Sequence, residues 1–174
     1  KAIEDSYSRL LNSSIQTEVR LELKKRSDAE AIGVFKDNLA NLLLAAPAGQ
    51  LGVLGIDPGI RTGCKVAVVD ETGKFLAHDV IYPHVPRQDT VGAARILKGL
   101  IEKHNVKAIA IGNGTASRET DAFVREFLKT TGLSTVFSVM VNESGASIYS
   151  ASDIARQEFP DLDLTVRGAI SIAR

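Results

Sequence analysis

The sequence predicts an α/β protein. Its core is a mixed five-stranded sheet, three antiparallel strands followed by parallel ones, with helices on both faces and an α-helical segment in front. Three observations predict this. Residues 1–46 contain no Pro and one Gly and repeat apolar residues at helical spacing. From Leu51 the pattern changes to short apolar runs of strand length. Beyond residue 88, strand-like runs alternate with helical ones, which demands parallel pairing through right-handed crossovers. The stretch "APAGQ", residues 46–50, reads as the linker between a helical segment, 1–48, and a sheet domain, 49–174.

Each element has its own signal. Tyr7, Leu10 and Leu11 suggest a short first helix. "NSS" at 12–14 offers a cap for a second, with Ile15, Val19 and Leu23 on one face. "SDAE" at 27–30 fits a capping box that opens a third, carrying Ile32, Phe35, Leu39, Leu42 and Leu43. Helices this amphipathic need a partner surface. Leu51–Ile56, Lys65–Val69 and Phe75–Ile81 then read as an antiparallel meander, with "DPGIRTG" as its first turn and "DETGK" as its second. "QDT" at 88–90 caps a helix reaching about His104. Lys107–Ile111 is the fourth strand, and a helix from about Ser117 to Lys129 follows, with Gly132 as its stop. Val136–Val141 is the fifth. "NES" at 142–144 leads into a helix through about Glu158, "FPDLDL" breaks it, and a last helix begins near Val166. A single sheet in the order βββαβαβα has the ribonuclease H arrangement.

Composition removes several function classes. Lys plus Arg equals Asp plus Glu, 21 against 21, and the balance is even on both sides of the linker, so no part grips nucleic acid by bulk charge. One cysteine, Cys64, excludes an internal disulfide and a cysteine-cluster zinc site. His78, His84 and His104 are scattered without metal-ligand spacing. Aromatics are 5% with no Trp, which gives poor support to stacking readout of single strands. No run is long enough for a membrane span and no secretory signal opens the chain, so the cytoplasm is the expected location. The opening Lys and the lack of a stop signal after "RGAISIAR" suggest a piece of a longer protein.

In such a sheet, ligands collect where strand ends diverge. Asp57 ends the first strand, "GNGT" ends the fourth and "NES" ends the fifth. This topology assembles Asp57, Asn113, Thr115, Asn142, Glu143 and Ser144 from distant parts of the chain. Two following helices direct their N-termini at the same cleft, which suits an anion or a metal-bound phosphate. Arg61, Lys65, Arg87 and Arg118 could line its rim and touch phosphates, but a solvated role is the safer reading for each.

"GIDPGIRTG" with "VAVVDETGK", "AIGNGTASRET" and "VNESGASIYSAS" resembles the YqgF-homologous, RuvC-like domain of the Tex family of bacterial transcription accessory proteins. The resemblance extends over the whole chain, with residues 1–48 similar to the helical segment before that domain. It implies a cytoplasmic, nucleic-acid-binding protein tied to transcription. RNA or DNA would be gripped mainly by parts outside this chain, the transcription machinery is a possible partner, and no membrane is involved. RuvC-type relatives hold two divalent metals on a set of acids. By that resemblance Asp57 takes the first acid position and Glu143 the acid after the fifth strand. Asn113 stands near an acid position, and Arg167 falls where an acid of the last helix is expected, as a cation among the carboxylates. The implied function is a non-catalytic scaffolding and interaction module without a cofactor. The alternative is a Mg²⁺-dependent nuclease or resolvase working through Asp57 and Glu143. A third class, an actin-like ATPase, would need a second copy of the fold and an adenosine site.

Overall fold

The computed structural model describes residues 1–44 and 48–174. Ala46 and Pro47 of the expected linker lie outside the described residues. The chain divides into two compact units, Lys1–Pro47 and Ala48–Arg174.

The first unit differs from the expectation of three separate helices, the second and third opened by caps. Helix α1 (Ala2–Ser6) passes through a π-helical turn (Tyr7–Leu11) directly into α2 (Asn12–Leu43), one uninterrupted helix of 32 residues. Leu11 and Asn12 keep right-handed helical backbone, so "NSS" caps nothing. The Ser13 hydroxyl instead donates back to the Arg9 carbonyl. Within "SDAE", Asp28 accepts from Lys24 one turn earlier, a helix-interior pair. With no Pro or chain reversal to enforce an end, good helix formers such as Leu, Lys and Glu carry the helix through both would-be caps. Tyr7, Leu10, Ile15, Val19, Phe35 and Leu42 are all exposed along it.

The second unit is built on β1 (Val53–Asp57), β2 (Cys64–Val69), β3 (Phe75–Ile81), β4 (Ala108–Gly112) and β5 (Phe137–Val141). The sheet order is β3-β2-β1-β4-β5. β1 pairs antiparallel with β2 and parallel with β4; β2–β3 is antiparallel and β4–β5 parallel. This is the mixed ribonuclease H-like sheet that the element order implies. Asp70 holds the β2–β3 turn through its Oδ1, which accepts from the backbone N–H of Thr72 and Lys74, and Gly73 supplies a φ of +79°.

Strand alternation divides the core between the two faces. Leu54, Ile56, Val66, Val68, Ile109 and Ile111 face α3 (Thr90–His104) and α4 (Ser117–Thr131), meeting Leu97, Ile101, Val124 and Phe127. Burial of each such side chain contributes roughly 1.5–3 kcal/mol. The other face carries small residues. Ala67 and Val69 receive Val166, Ala169 and Ile170 of α7 (Leu164–Ala173), and Ala110 receives Ala146 of α5 (Ser144–Ala151). Gly55 marks the closest approach: a Cβ there would overlap the Ala169 carbonyl oxygen and lie 2.8 Å from the Ala173 Cβ. Small side chains on β1 thus bring α7 close over the end of the strand.

Capping places the helix starts. Asp89 Oδ1 accepts from Gly92 N–H at the start of α3, and Gly132, at φ +69°, ends α4. The single helix expected to run to Glu158 is interrupted at Ser152, whose extended backbone closes α5 and whose hydroxyl caps α6 (Asp153–Glu158) by accepting from Ala155 N–H. Asp163 caps α7 two residues before the expected start, its Oδ1 accepting from Thr165 N–H.

Candidate functional site

β1 and β4 run parallel, so their C-terminal ends open on one side, and β5 ends beside them. Asp57 is the last residue of β1 and pairs in register with Lys65 of β2. The Lys65 ammonium does not close on it but donates to the carbonyls of Thr62 and Gly63, at 2.7 and 3.1 Å. Glu143 follows β5 and is fixed through its backbone: its N–H donates to Asn113 Oδ1 at 3.2 Å. Asn142 Oδ1 accepts from Ser144 N–H at the start of α5.

The glycines of "GNG" make room for the second acid. A Cβ on Gly112 would overlap Glu143 Oε2, and one on Gly114 would overlap Glu143 Oε1. The carboxylate therefore lies against bare backbone at the end of β4. Its Oε2 is buried and has no hydrogen-bond partner. Asp57 and Glu143 share one small pocket of about 120 Å³ between α5 and α7, with Ser147, Ser150 and Thr165 among its lining residues. Burial first, and then the Glu143 charge, raise the Asp57 carboxyl to about 6, with Lys65 opposing them. Two acids therefore face a small space with little cationic compensation.

The last helix supplies no third acid. Its surface toward the pocket consists of Leu164, Thr165, Gly168 and Ile172. Gly168 stands opposite Asp57; a Cβ there would lie 3.1 Å from Asp57 Oδ2. The expectation for Arg167 is corrected here. Its guanidinium does not enter the carboxylate pocket. Nε donates to the Phe159 carbonyl at 3.0 Å and NH2 to that of Pro160 at 3.4 Å, on a residue only 9% exposed. One residue along a helix is a turn of about 100°, so the neighbour Gly168 occupies the position the sequence reading gave to Arg167. Asp163 is exposed at the N-cap and serves the turn.

Of the other expected residues, Asn113 and Asn142 orient the loop that carries Glu143. Arg61 and Thr115 are exposed on the surrounding loops and Ser144 is exposed at the start of α5; none of the three lines the pocket. The sequence reading missed Gly112, Gly114 and Gly168, whose absent side chains give the carboxylates their space, and the lining residues Ser147, Ser150 and Thr165. The doubled glycine of "GNG" was the available signal; nothing local marked Gly168.

The acidic donor set is hard oxygen, two carboxylates, and one carboxylate oxygen lacks a partner. Such a set suits one small divalent cation that keeps several waters. Among the described residues no group of three His, Cys, Asp or Glu converges, as a metal pair would require.

Residues 51–174 match the family described as the Tex protein YqgF-like domain. The transcriptional accessory protein Tex of Neisseria gonorrhoeae is 51% identical over 161 residues, 92% of this chain and 21% of that protein. The human S1 RNA-binding domain-containing protein 1 is 37% identical over 99% of this chain and 17% of its own length. The chain spans between a fifth and a quarter of the length of the bacterial relatives it matches. Among solved structures, Thermus thermophilus RuvC aligns with a TM-score of 0.49 at 19% identity, over 71% of this chain and 91% of that one. The strand order, rather than that faint likeness, defines the fold.

Proposed function

Because the chain belongs to the Tex family, carrying its YqgF-like domain over residues 51–174, we propose that it is a non-catalytic module of a nucleic-acid-binding transcription accessory protein. One observation carries the reading. α7 turns only Leu164, Thr165, Gly168 and Ile172 toward Asp57 and Glu143, so two acids stand where a metal pair needs at least three. The module serves scaffolding and interaction. Nucleic acid and the transcription machinery are engaged mainly by the remainder of the full-length protein. The exposed apolar side chains along α2 support assigning residues 1–48 to a larger helical region that covers them. No described helix is long and apolar enough to cross a membrane.

A second reading has one observation in its favour. The unpartnered Glu143 Oε2, beside an Asp57 carboxyl raised by burial, suits a single Mg²⁺ held by these two residues. When bound, such an ion would polarise a phosphoryl oxygen. Asp57 and Glu143 would then be the catalytic carboxylates of a one-metal nuclease. Incubation of the full-length protein with branched DNA and with RNA, in Mg²⁺ and in Mn²⁺, separates the two. The non-catalytic reading expects no cleavage above that of an Asp57→Asn control. Cleavage by the wild type that disappears in Asp57→Asn would overturn it.

A further inference from the structure

A second concavity lies between the loop after β1, the loop after β3 and the start of α4, and encloses about 280 Å³. Ile60, Pro83 and Val85 give it apolar walls; His84, Gln88 and Glu119 are its polar lining residues. The walls are held in place by the chain itself. The loop after β3 closes through Gln88 N–H, which donates to the His84 carbonyl at 2.8 Å, and Asp89 N–H, which donates to that of Tyr82 at 2.7 Å. His84 ties the same loop to α4, its Nε2 lying 2.8 Å from Thr120 Oγ1. That hydroxyl donates its own proton to the Ala116 carbonyl at 2.8 Å. Nε2 therefore carries the ring hydrogen, and Nδ1 of the neutral imidazole is left as an acceptor. Burial holds the ring below the usual histidine range, against the opposing pull of Glu119.

The charge of this lining is one-sided. Glu119 is its ionised group, and no Lys or Arg lines it. The Glu119 carboxylate forms no ion pair among the described residues, and its charge is felt at the His84 ring. An anion is therefore repelled. An apolar side chain would fill the walls but strip water from the carboxylate and the imidazole without replacing its hydrogen bonds. A hydrated metal ion would leave the walls unused. A cation on an apolar stem satisfies both. The volume falls just under the range of about 300–1,000 Å³ for small-molecule sites, which suits a single long side chain.

We propose that this concavity docks one arginine side chain of a partner polypeptide, its stem along Ile60, Pro83 and Val85 and its guanidinium shared between Glu119 and His84. The proposal rests on the interaction reading above and gives it a place and a partner chemistry. Two acceptors of different kind favour arginine over lysine. A planar, weakly hydrated guanidinium can donate to a carboxylate and a ring nitrogen together, whereas a compact ammonium keeps its water. Val85 and Ile60, 63% and 43% exposed, carry the apolar surface outward, where residues flanking the arginine can rest. Free arginine lacks those neighbours, and Glu119 repels its α-carboxylate. The fitting partner is thus an arginine set between apolar residues in a chain.

The test titrates the ¹⁵N-labelled 174-residue chain and follows amide shifts by NMR. Three probes are compared: the peptide acetyl-Leu-Arg-Leu-amide, the same peptide with neutral citrulline in place of arginine, and free L-arginine. The proposal expects saturable shifts at Gln88 and Glu119 with the arginine peptide. It expects the citrulline peptide to bind about fivefold more weakly, as the loss of one partly exposed ion pair requires, and free arginine to bind more weakly still. Glu119→Gln should erase the preference for arginine over citrulline. Val85→Ser should weaken both peptides about fourfold and keep that preference. Both side chains are exposed, so the fold survives, and a circular dichroism melt checks it. Equal affinity for the two peptides, no saturable shift at Gln88 and Glu119, a preference that persists in Glu119→Gln, or free arginine binding as tightly as the peptide would each overturn the proposal. None of these outcomes bears on the non-catalytic reading, which the cleavage assay decides, and cleavage would leave the arginine site standing.

Discussion

Asp57→Asn should stabilise the sheet domain at neutral and alkaline pH. In the folded chain the Asp57 carboxyl is raised to about 6, chiefly by burial and then by Glu143, against an ordinary value of 3.8. The folded state therefore holds a proton that the unfolded state releases, over a window from about 4 to about 6. Stability falls as pH rises through that window and stays lower above it. The gap sets a ceiling of about 3 kcal/mol. Asp57 is only partly buried, and solvent screening reduces this to about 1–2 kcal/mol. The variant lacks the ionisation and should gain that amount near pH 8 while matching the wild type near pH 4, both approximate settings of the same window. Urea unfolding followed by circular dichroism across this range reads both curves. A variant no more stable than the wild type at high pH, or a wild type whose stability does not decline through the window, would refute the reasoning.

Three further outcomes follow from packing. Gly55→Ala drives a Cβ into the Ala169 carbonyl, backbone against backbone, and should cost at least about 3 kcal/mol, read as loss of the folded domain in a thermal melt. Arg167→Ala removes the cation from the Phe159 and Pro160 carbonyls and should cost about 2–3 kcal/mol, yet leave Mn²⁺ affinity at Asp57 unchanged; a large change in affinity would return the guanidinium to the carboxylate pocket. Gly114→Ala displaces the flexible end of Glu143, so stability should hold within about 1 kcal/mol while Mn²⁺ affinity, followed by electron paramagnetic resonance, drops about tenfold.

The sheet was legible because its signals are local and consistent with one another. Five apolar runs, the "DETGK" turn and the alternation after residue 88 imply the observed order without any long-range information. Asp57 and Glu143 could be placed together for the same reason, since each ends a strand of that sheet. Where the reading departed from the structure, a local cue competed with a wider constraint. The "NSS" and "SDAE" stretches have the composition of caps, but nothing redirects the chain there, and α2 runs through both. Ser152 ends a helix without Pro or Gly, through an extended backbone and a single hydroxyl cap, which a polar run does not reveal. The face of α7 turned on a single residue. Helix phase against the sheet is set by the fit of Ala169 and Ala173 over Gly55, a contact between residues more than a hundred positions apart. That phase points Gly168 at Asp57 and sends Arg167 to a pair of carbonyls.

Crystals of the full-length protein grown or soaked in Mn²⁺, with anomalous difference maps at the end of β1, put the account to its most direct measurement. Two carboxylates and a neutral helix face predict at most one ion between Asp57 and Glu143. Two ordered ions about 4 Å apart, bridged by Asp57, would contradict it.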